Sequence, residues 1–171
     1  FFLEHGKKLF DELGNESLKR NLFPRFLIST IMPKSILGQS LCKLFPIINP
    51  EIYYSIYGVK ESFRKRWLPN AMPFPEALYM LKEYQESTKK IIKLHWAFIE
   101  GENDGEEDMV LLCHEIRCSG LRVDIAIVRY NPYNEKYGRE PNKEILDRNV
   151  GILKTYLPFS KIKMITRVGP D

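Results

Sequence analysis

The stretch RVDIAIVRYNPYNEKYGREPNKEIL, residues 122–146, decides the fold. Its first part is rich in β-branched residues, which favour a buried strand, and this run stops at Asn131-Pro132. A polar loop follows, and helical spacing of apolar residues begins after Pro141. A strand that leads through a loop into a helix is one βα unit, so the stretch predicts a parallel α/β sheet. Asn131 stands where the strand ends.

The same alternation of strand and helix extends along the chain in units of about 30 residues. The predicted strands are residues 25–30, 51–58, 91–99, 121–130 and 161–168. The predicted helices are residues 2–20, 35–45, 73–90, 106–119 and 142–157. Because a closed eight-stranded barrel takes about 250 residues, this pattern predicts either an open doubly wound sheet or part of a barrel.

Length and composition indicate one domain, residues 1–171, with 44% hydrophobic residues available for a core. No apolar window approaches the ~18 residues of a membrane span, and Glu4, His5 and Lys7 stand where a signal peptide needs apolar residues. We therefore expect a soluble, cytoplasmic chain with no membrane partner. The first residue is not Met and opens inside an amphipathic pattern, so we also expect a fragment of a longer protein.

The three cysteines, Cys42, Cys113 and Cys118, are an odd number without metal-site spacing, so they are predicted to be structural thiols rather than metal ligands. The net charge of +4 permits an anionic partner without requiring one.

Functional groups of parallel α/β folds lie at the carboxyl ends of the strands. The polar residues predicted there are hydroxyls and one amide: Ser29, Thr30, Ser55, Tyr57 and Asn131. No Ser/His/Asp set and no glycine-rich phosphate loop accompanies them, so we predict no catalytic residue in this chain. Such neutral groups suit a small polar ligand, and the alternative is that they only cap the helices that follow.

Five segments occur in a distinctive order: IST before a Pro, YSIYGVKESFRKRWLPN, FIEGENDGEED, VRYNPYNEKYGREP, and a last strand ending in TRVG. In this order, over residues 25–169, the sequence resembles the carboxyl-terminal half of radical S-adenosylmethionine enzymes. It is most similar to the rRNA and tRNA adenine carbon-2 methyltransferases and their relatives.

The resemblance implies a parallel-stranded partial (β/α) barrel of about five βα units, lacking the first strands of the full core. It implies that S-adenosylmethionine binds across the strand ends. Ser29 matches a contact to the amino acid end of the cofactor, Ser55 another cofactor contact, and Asn131 a residue near the adenosyl part. Thr30 and Tyr57 lie at the same strand ends and complete the expected cofactor site.

The complete family member uses a [4Fe-4S] cluster to cleave S-adenosylmethionine to a 5′-deoxyadenosyl radical. The CxxxCxxC loop that would hold the cluster does not occur in these 171 residues. We therefore expect the ligands in a preceding part of the same protein, and expect this chain alone to be inactive.

Three departures from the family pattern concern the substrate more than the cofactor. Tyr57 replaces a His, Arg129 replaces a Pro, and Ala126 replaces an Asn. The resemblance leaves RNA open as the substrate and leaves methyl transfer undecided.

A basic segment, residues 58–70, offers a second candidate surface. Lys60, Arg64, Lys65 and Arg66 beside Trp67 provide charge and stacking for RNA. The alternative is a solvated helix turn whose Phe63 and Trp67 pack inward. In the acidic loop that follows the third strand, Asp104 and Glu107 have the spacing of a capping box, which favours a helix cap over the alternative of a metal site.

The sequence is compatible with three functions. The first is the carboxyl-terminal part of a radical S-adenosylmethionine enzyme. The second is a non-catalytic half-barrel that binds RNA or protein, covered at its open strand edge by the missing amino-terminal part or by self-association. The third is a small-molecule enzyme on an open doubly wound sheet, which predicts a reversal of strand order.

Overall fold

A computed structural model describes residues 5–45, 48–132 and 134–165. Its helices are α1 Lys7–Lys19, α2 Leu41–Leu44, α3 Glu61–Trp67, α4 Phe74–Thr88, α5 Glu106–Ser119 and α6 Lys143–Tyr156. Its strands are β1 Leu27–Thr30, β2 Glu51–Ser55, β3 Ile92–Trp96, β4 Val123–Ile127 and β5 Ile162–Met164. At least one helix separates each pair of consecutive strands, as the sequence predicts, and two helices, α3 and α4, separate β2 from β3.

All five strands are parallel and lie in the order β1-β2-β3-β4-β5. Each strand therefore pairs with its sequence neighbour, which is the order found in a (β/α) barrel. A doubly wound sheet would reverse direction at a switch point, and the described strands contain none. The third function, an enzyme on a doubly wound sheet, is therefore excluded for this part of the chain.

One face of the sheet is apolar and packs against the helices. Alternate strand residues point to this face, among them Ile52, Leu94, Trp96 and Ile125, and each is at most 2% exposed. They join the apolar sides of α4, α5 and α6 in one continuous core. Burial of these side chains is the main favourable contribution to folding.

The opposite face of the sheet is polar and partly exposed; we call it the open face. Strand register aligns its side chains in two rows. The lower row is Ser29, Tyr53, Lys93 and Asp124, and the upper row, nearer the carboxyl ends, is Ser55, His95, Ala126 and Lys163. In a (β/α) barrel the face away from the helices lines the interior, so these rows line the inside of the partial barrel.

One of the predicted helices is wrong. Residues 35–45 do not form one helix, because Gly38 adopts φ +79° and separates a short 3-10 turn, Lys34–Ile36, from α2. The first predicted helix, residues 2–20, corresponds to α1, which runs through Gly14 without a break. Residues 166–168 of the last predicted strand and residues 2–4 of the first predicted helix lie outside the described residues.

The predicted capping box at α5 is also wrong. The helix begins at Glu106 after Gly105, without a side-chain cap. Asp104 instead turns toward its own loop, where Oδ1 accepts from the Gly101 N–H at 2.9 Å. Within the described ranges, none of the helices combines the length and apolar character that crossing a bilayer requires.

Candidate ligand site at the strand ends

The carboxyl ends of β1 and β2 bring two predicted site residues together. The hydroxyl oxygens of Ser29 and Ser55 are 3.3 Å apart, although the residues are 26 positions apart in sequence. Ser55 is buried and Ser29 is exposed, so the pair connects the interior of the open face with solvent. One hydrogen bond between them leaves a second hydroxyl proton and unused lone pairs for a ligand.

Thr30 lies on the other side of the strand from Ser29. Its hydroxyl oxygen accepts from the Met32 N–H at 2.9 Å, at a turn where Met32 has φ +55°. This hydrogen bond is the local turn contact that the capping alternative predicts for a hydroxyl at a strand end. The cofactor role of Thr30 stays a prediction, and its acceptor oxygen is already engaged.

Tyr57 and Asn131 lie beyond the last paired residues of β2 and β4. Tyr57 is half-buried and adopts φ +49°, an uncommon conformation for a residue with a bulky side chain. Asn131 is exposed and follows Tyr130 at the rim. Both residues lie at the carboxyl end of the sheet, as predicted, and their contact with a cofactor stays a prediction.

A cavity of about 300 Å³ opens between these strand ends. Its walls are mostly aromatic or apolar: Tyr57, Phe63, Trp67, Leu68, Ala97, Ile99, Val128, Arg129 and Tyr130. Ala97 and Val128 lie two residues beyond His95 and Ala126, so they continue the open face toward the mouth. The volume lies at the lower end of the range for ligand pockets, and flat aromatic walls suit a planar heterocycle.

Asn103 fixes the geometry of this mouth, and sequence reasoning missed it. Its side chain is 1% exposed and forms three hydrogen bonds with the backbone. The amide nitrogen donates to the carbonyls of Tyr57 at 2.6 Å and Ala97 at 2.8 Å, and the amide oxygen accepts from the Ile99 N–H at 2.7 Å. The end of β2 is thereby held against the end of β3.

The acidic loop after β3 also ties the rim together. Glu102 pairs with Arg66 and accepts from the Trp67 indole N–H at 3.3 Å, which attaches α3 to the loop. Glu100 pairs with Arg139 in the loop after β4. The sequence shows acidic and basic residues in these loops, but it does not show which of them form ion pairs.

Arg129 and Glu140 close the loop that carries Asn131. The guanidinium Nε donates to both carboxylate oxygens of Glu140, at 2.6 and 2.8 Å. This hydrogen bonding raises the pKa of Arg129, so the residue stays charged. Glu140 also accepts from the Tyr130 N–H at 3.2 Å, so one carboxylate holds both ends of the loop. Arg129, a departure from the family pattern, is therefore a rim support here.

The basic segment uses its cations within the chain. Arg64 is 6% exposed and donates to the carbonyls of Gly58 at 3.1 Å and Met72 at 2.8 Å. Phe63 and Trp67 stack at 5.9 Å between ring centroids, and Gly58 is needed beneath them because a Cβ there would lie 2.2 Å from the Phe63 ring. The remaining cations contact carboxylates: Lys60 with Asp108, Lys65 with Glu61 and Arg66 with Glu102. These contacts support the packed-helix alternative over an RNA-binding surface.

The open face below the cavity carries titratable groups. Burial lowers the pKa of His95, which leaves its imidazole neutral at neutral pH, and its ring lies 4.9 Å from that of Tyr53. Burial acts to raise the pKa of Asp124, but hydrogen bonds from the Lys93 ammonium at 2.5 Å and the Lys161 N–H at 3.0 Å outweigh it and lower that pKa. Asp124 is therefore ionised and paired.

The cysteines do not fit a [4Fe-4S] cluster. Cys113 is buried in α5, Cys42 is half-buried in α2, and Cys118 is exposed. Burial raises the pKa of Cys113 to about 11, which keeps it a thiol rather than a metal-binding thiolate. Among the residues that the structure describes, no three His, Cys, Asp or Glu side chains form a group that could hold a metal ion.

The chain is similar in sequence to two proteins named probable dual-specificity RNA methyltransferase RlmN. The protein from Thermosipho melanesiensis is 29% identical over 133 residues, which are 76% of this chain and 37% of that protein. The protein from Nostoc punctiforme is 26% identical over 102 residues, which are 58% of this chain and 28% of that protein. The chain thus spans about a third of the length of these relatives. No protein-family model matches it.

Two solved structures share the fold. A radical SAM methyltransferase from Sphaerobacter thermophilus has a TM-score of 0.73 and 18% identity, covering 85% of this chain and 42% of that one. A domain of pyruvate-formate lyase-activating enzyme from Bacteroides vulgatus has a TM-score of 0.66 and 16% identity, covering 96% of this chain and 93% of that one. The fold class predicted from the sequence, a partial parallel (β/α) barrel, is confirmed. The resemblance to radical S-adenosylmethionine enzymes is confirmed as well.

Proposed function

We propose that this chain is the S-adenosylmethionine-binding, carboxyl-terminal part of a radical S-adenosylmethionine enzyme. The observation that carries the proposal is the meeting of the Ser29 and Ser55 hydroxyls beside an aromatic cavity at the carboxyl ends of parallel strands. The proposal draws support from the sequence similarity to the two RNA methyltransferases and from the shared fold.

The residues present suit the two chemically different ends of the cofactor. Hydroxyl groups such as Ser29 and Ser55 can hydrogen-bond the amine and carboxylate of the amino acid end. The aromatic walls at Tyr57 and Tyr130 provide flat apolar surfaces for adenine, and Asn131 supplies an amide at the rim for adenosyl polar atoms. When bound, S-adenosylmethionine supplies an activated carbon–sulfur bond.

The chain's own residues then have three tasks. Ser29 and Ser55 orient the cofactor, and the Asn103 amide keeps the strand ends that carry Tyr57 and Ala97 at a fixed separation. The half-buried walls of the cavity exclude water from one side of the ligand. We assign no electron-transfer step to these residues, since the cysteines here do not fit the cluster.

In the longer protein that we propose, cluster ligands come from sequence outside this chain, and the product is a modified RNA made in the cytoplasm. The RNA substrate rests on the names of the two sequence relatives. Protein expressed from the complete reading frame should bind about four irons per chain after anaerobic reconstitution, as a [4Fe-4S] cluster requires. Absence of iron would remove the radical mechanism and leave a half-barrel binding module.

Cofactor binding is testable on the 171-residue chain by calorimetric titration with S-adenosylmethionine. Ser55→Ala should weaken binding roughly tenfold, since a hydrogen bond to a charged ligand group contributes about 1.5 kcal/mol. Ser62→Ala, an exposed serine on α3, is the matched control and should bind like the wild type. Equal affinities of wild type and Ser55→Ala would show that the serine pair is not the cofactor contact.

A further inference from the structure

The upper row of the open face contains a gap that the proposed cofactor contacts do not use. Strand register sets His95, Ala126 and Lys163 side by side on β3, β4 and β5. Neighbouring strands are about 4.8 Å apart, so the backbones at His95 and Lys163 are separated by roughly 10 Å, with only a methyl group between them. Ala126 thus leaves space for a small group between two hydrogen-bond donors.

The charge around this gap is positive. Lys163 is exposed, and none of the ion pairs found among the described residues involves it. Lys93 is matched by Asp124, and Asp124 also accepts from the Lys161 N–H and lies close enough to feel the Lys161 charge. The carboxylate of Asp124, in the lower row, is therefore already paired. The positive charge that remains on this part of the open face is that of Lys161 and Lys163.

His95 supplies a donor on the other side of the gap. Its imidazole is half-buried and packs against Tyr53, which restricts the orientation of the ring. A neutral imidazole carries one N–H, which can donate to an anion oxygen. A lysine ammonium on one side and an imidazole N–H on the other, over a small residue, is an arrangement that suits a compact oxyanion.

We infer that the gap over Ala126, between His95 and Lys163, is a subsite for a phosphate group of the substrate. Phosphate is favoured over carboxylate because its higher charge gains more from the two lysines Lys161 and Lys163. The inference deepens the proposed function and rests on it, since it places the substrate beside the Ser55 side of the cofactor site. The Ala126 departure from the family pattern then has a role, because an Asn there would fill the gap.

The test uses the fact that the chain has only three histidines. Imidazole NMR signals of the 171-residue chain would be followed during titration with inorganic phosphate, with His95→Gln used for assignment. We expect a saturable shift of the His95 signals at millimolar phosphate, and no matching shift of His5 or His114. Lys163→Ala should weaken this binding roughly tenfold and Lys163→Arg should retain it, because the charge provides the attraction.

Lys154→Ala removes an exposed lysine from α6, away from the open face, and should leave phosphate binding unchanged. Equal weakening in Lys154→Ala and Lys163→Ala would show general surface attraction and overturn the subsite. A His95 signal that does not move would overturn it directly. Ribose 5-phosphate and a 5′-phosphorylated RNA oligonucleotide then distinguish the source of the phosphate: whichever competes with inorganic phosphate for the His95 shift is the matching ligand.

The experiment can refute the phosphate subsite and the proposed function independently of each other. S-adenosylmethionine titration of the same samples should show that Lys163→Ala keeps cofactor affinity while Ser55→Ala loses it. Phosphate binding that depends on Lys163, without cofactor binding in any sample, would refute the proposed function and leave the subsite standing.

Discussion

Replacement of Asn103 by Ala tests how the mouth of the site is held. The change removes one acceptor and two donor contacts, and leaves the Ile99 N–H and the carbonyls of Tyr57 and Ala97 without this partner. Each unsatisfied buried group costs about 1 kcal/mol or more, so Asn103→Ala should lower the free energy of unfolding by about 3 kcal/mol. Domains of this size have about 5–15 kcal/mol in total, so the variant should still fold.

Urea denaturation followed by circular dichroism measures this effect. With a slope of roughly 2 kcal/mol per molar urea, the midpoint should fall by about 1.5 M. Asn70→Ala, at an exposed asparagine, is the matched control and should change stability by less than about 0.5 kcal/mol. Midpoints of Asn103→Ala and Asn70→Ala that agree within error would refute the role assigned to the Asn103 amide.

Three further outcomes follow from the described contacts. Because the pKa of Asp124 is lowered in the folded state, its pairing stabilises the fold above the unfolded pKa of the carboxyl group, and this stabilisation is lost as pH falls through the folded pKa. The difference in unfolding free energy between wild type and Asp124→Asn should therefore shrink on acidification, and a difference that does not change with pH would contradict the pairing. Because burial raises the pKa of Cys113 to about 11, iodoacetamide at mildly alkaline pH should label exposed Cys118 first and Cys113 only on unfolding, as peptide mass spectrometry can show. Arg129→Ala should make the rim loop more sensitive to limited proteolysis, because it removes a bidentate contact to Glu140; unchanged cleavage rates would exclude that restraint.

The fold was predictable because the alternation of strand and helix repeats regularly in the sequence. Helix α5 spans the predicted residues 106–119. The prediction of one helix at residues 35–45 was wrong because it relied on the helical spacing of apolar residues. Gly38 adopts a left-handed conformation just after the 3-10 turn, and the helix does not continue through it. The strands predicted at residues 91–99 and 121–130 extend beyond the ends of β3 and β4. The apolar runs continue past the last paired residues into the cavity walls at Ala97 and Val128.

The candidate site was predictable only in part. Parallel topology alone brings Ser29 and Ser55 to the same edge, and the structure places their hydroxyls in contact. Polar and apolar residues alternate in Ile92–Trp96, with Lys93 and His95 at alternate positions. This alternation indicates that one face of the strand is polar, and the sequence analysis did not use it. The contacts of Asn103 could not be predicted, because they join residues up to 46 positions apart through backbone groups that leave no trace in side-chain pattern.

The most direct test of the central claim is a crystal structure of the chain with S-adenosylmethionine. We expect the amino acid end of the cofactor within hydrogen-bond distance of the Ser29 or Ser55 hydroxyl, and the adenine in the cavity beside Tyr57 and Tyr130. Cofactor bound at the opposite end of the sheet, for example in the cavity of about 550 Å³ lined by Leu121 and Phe159, would contradict it.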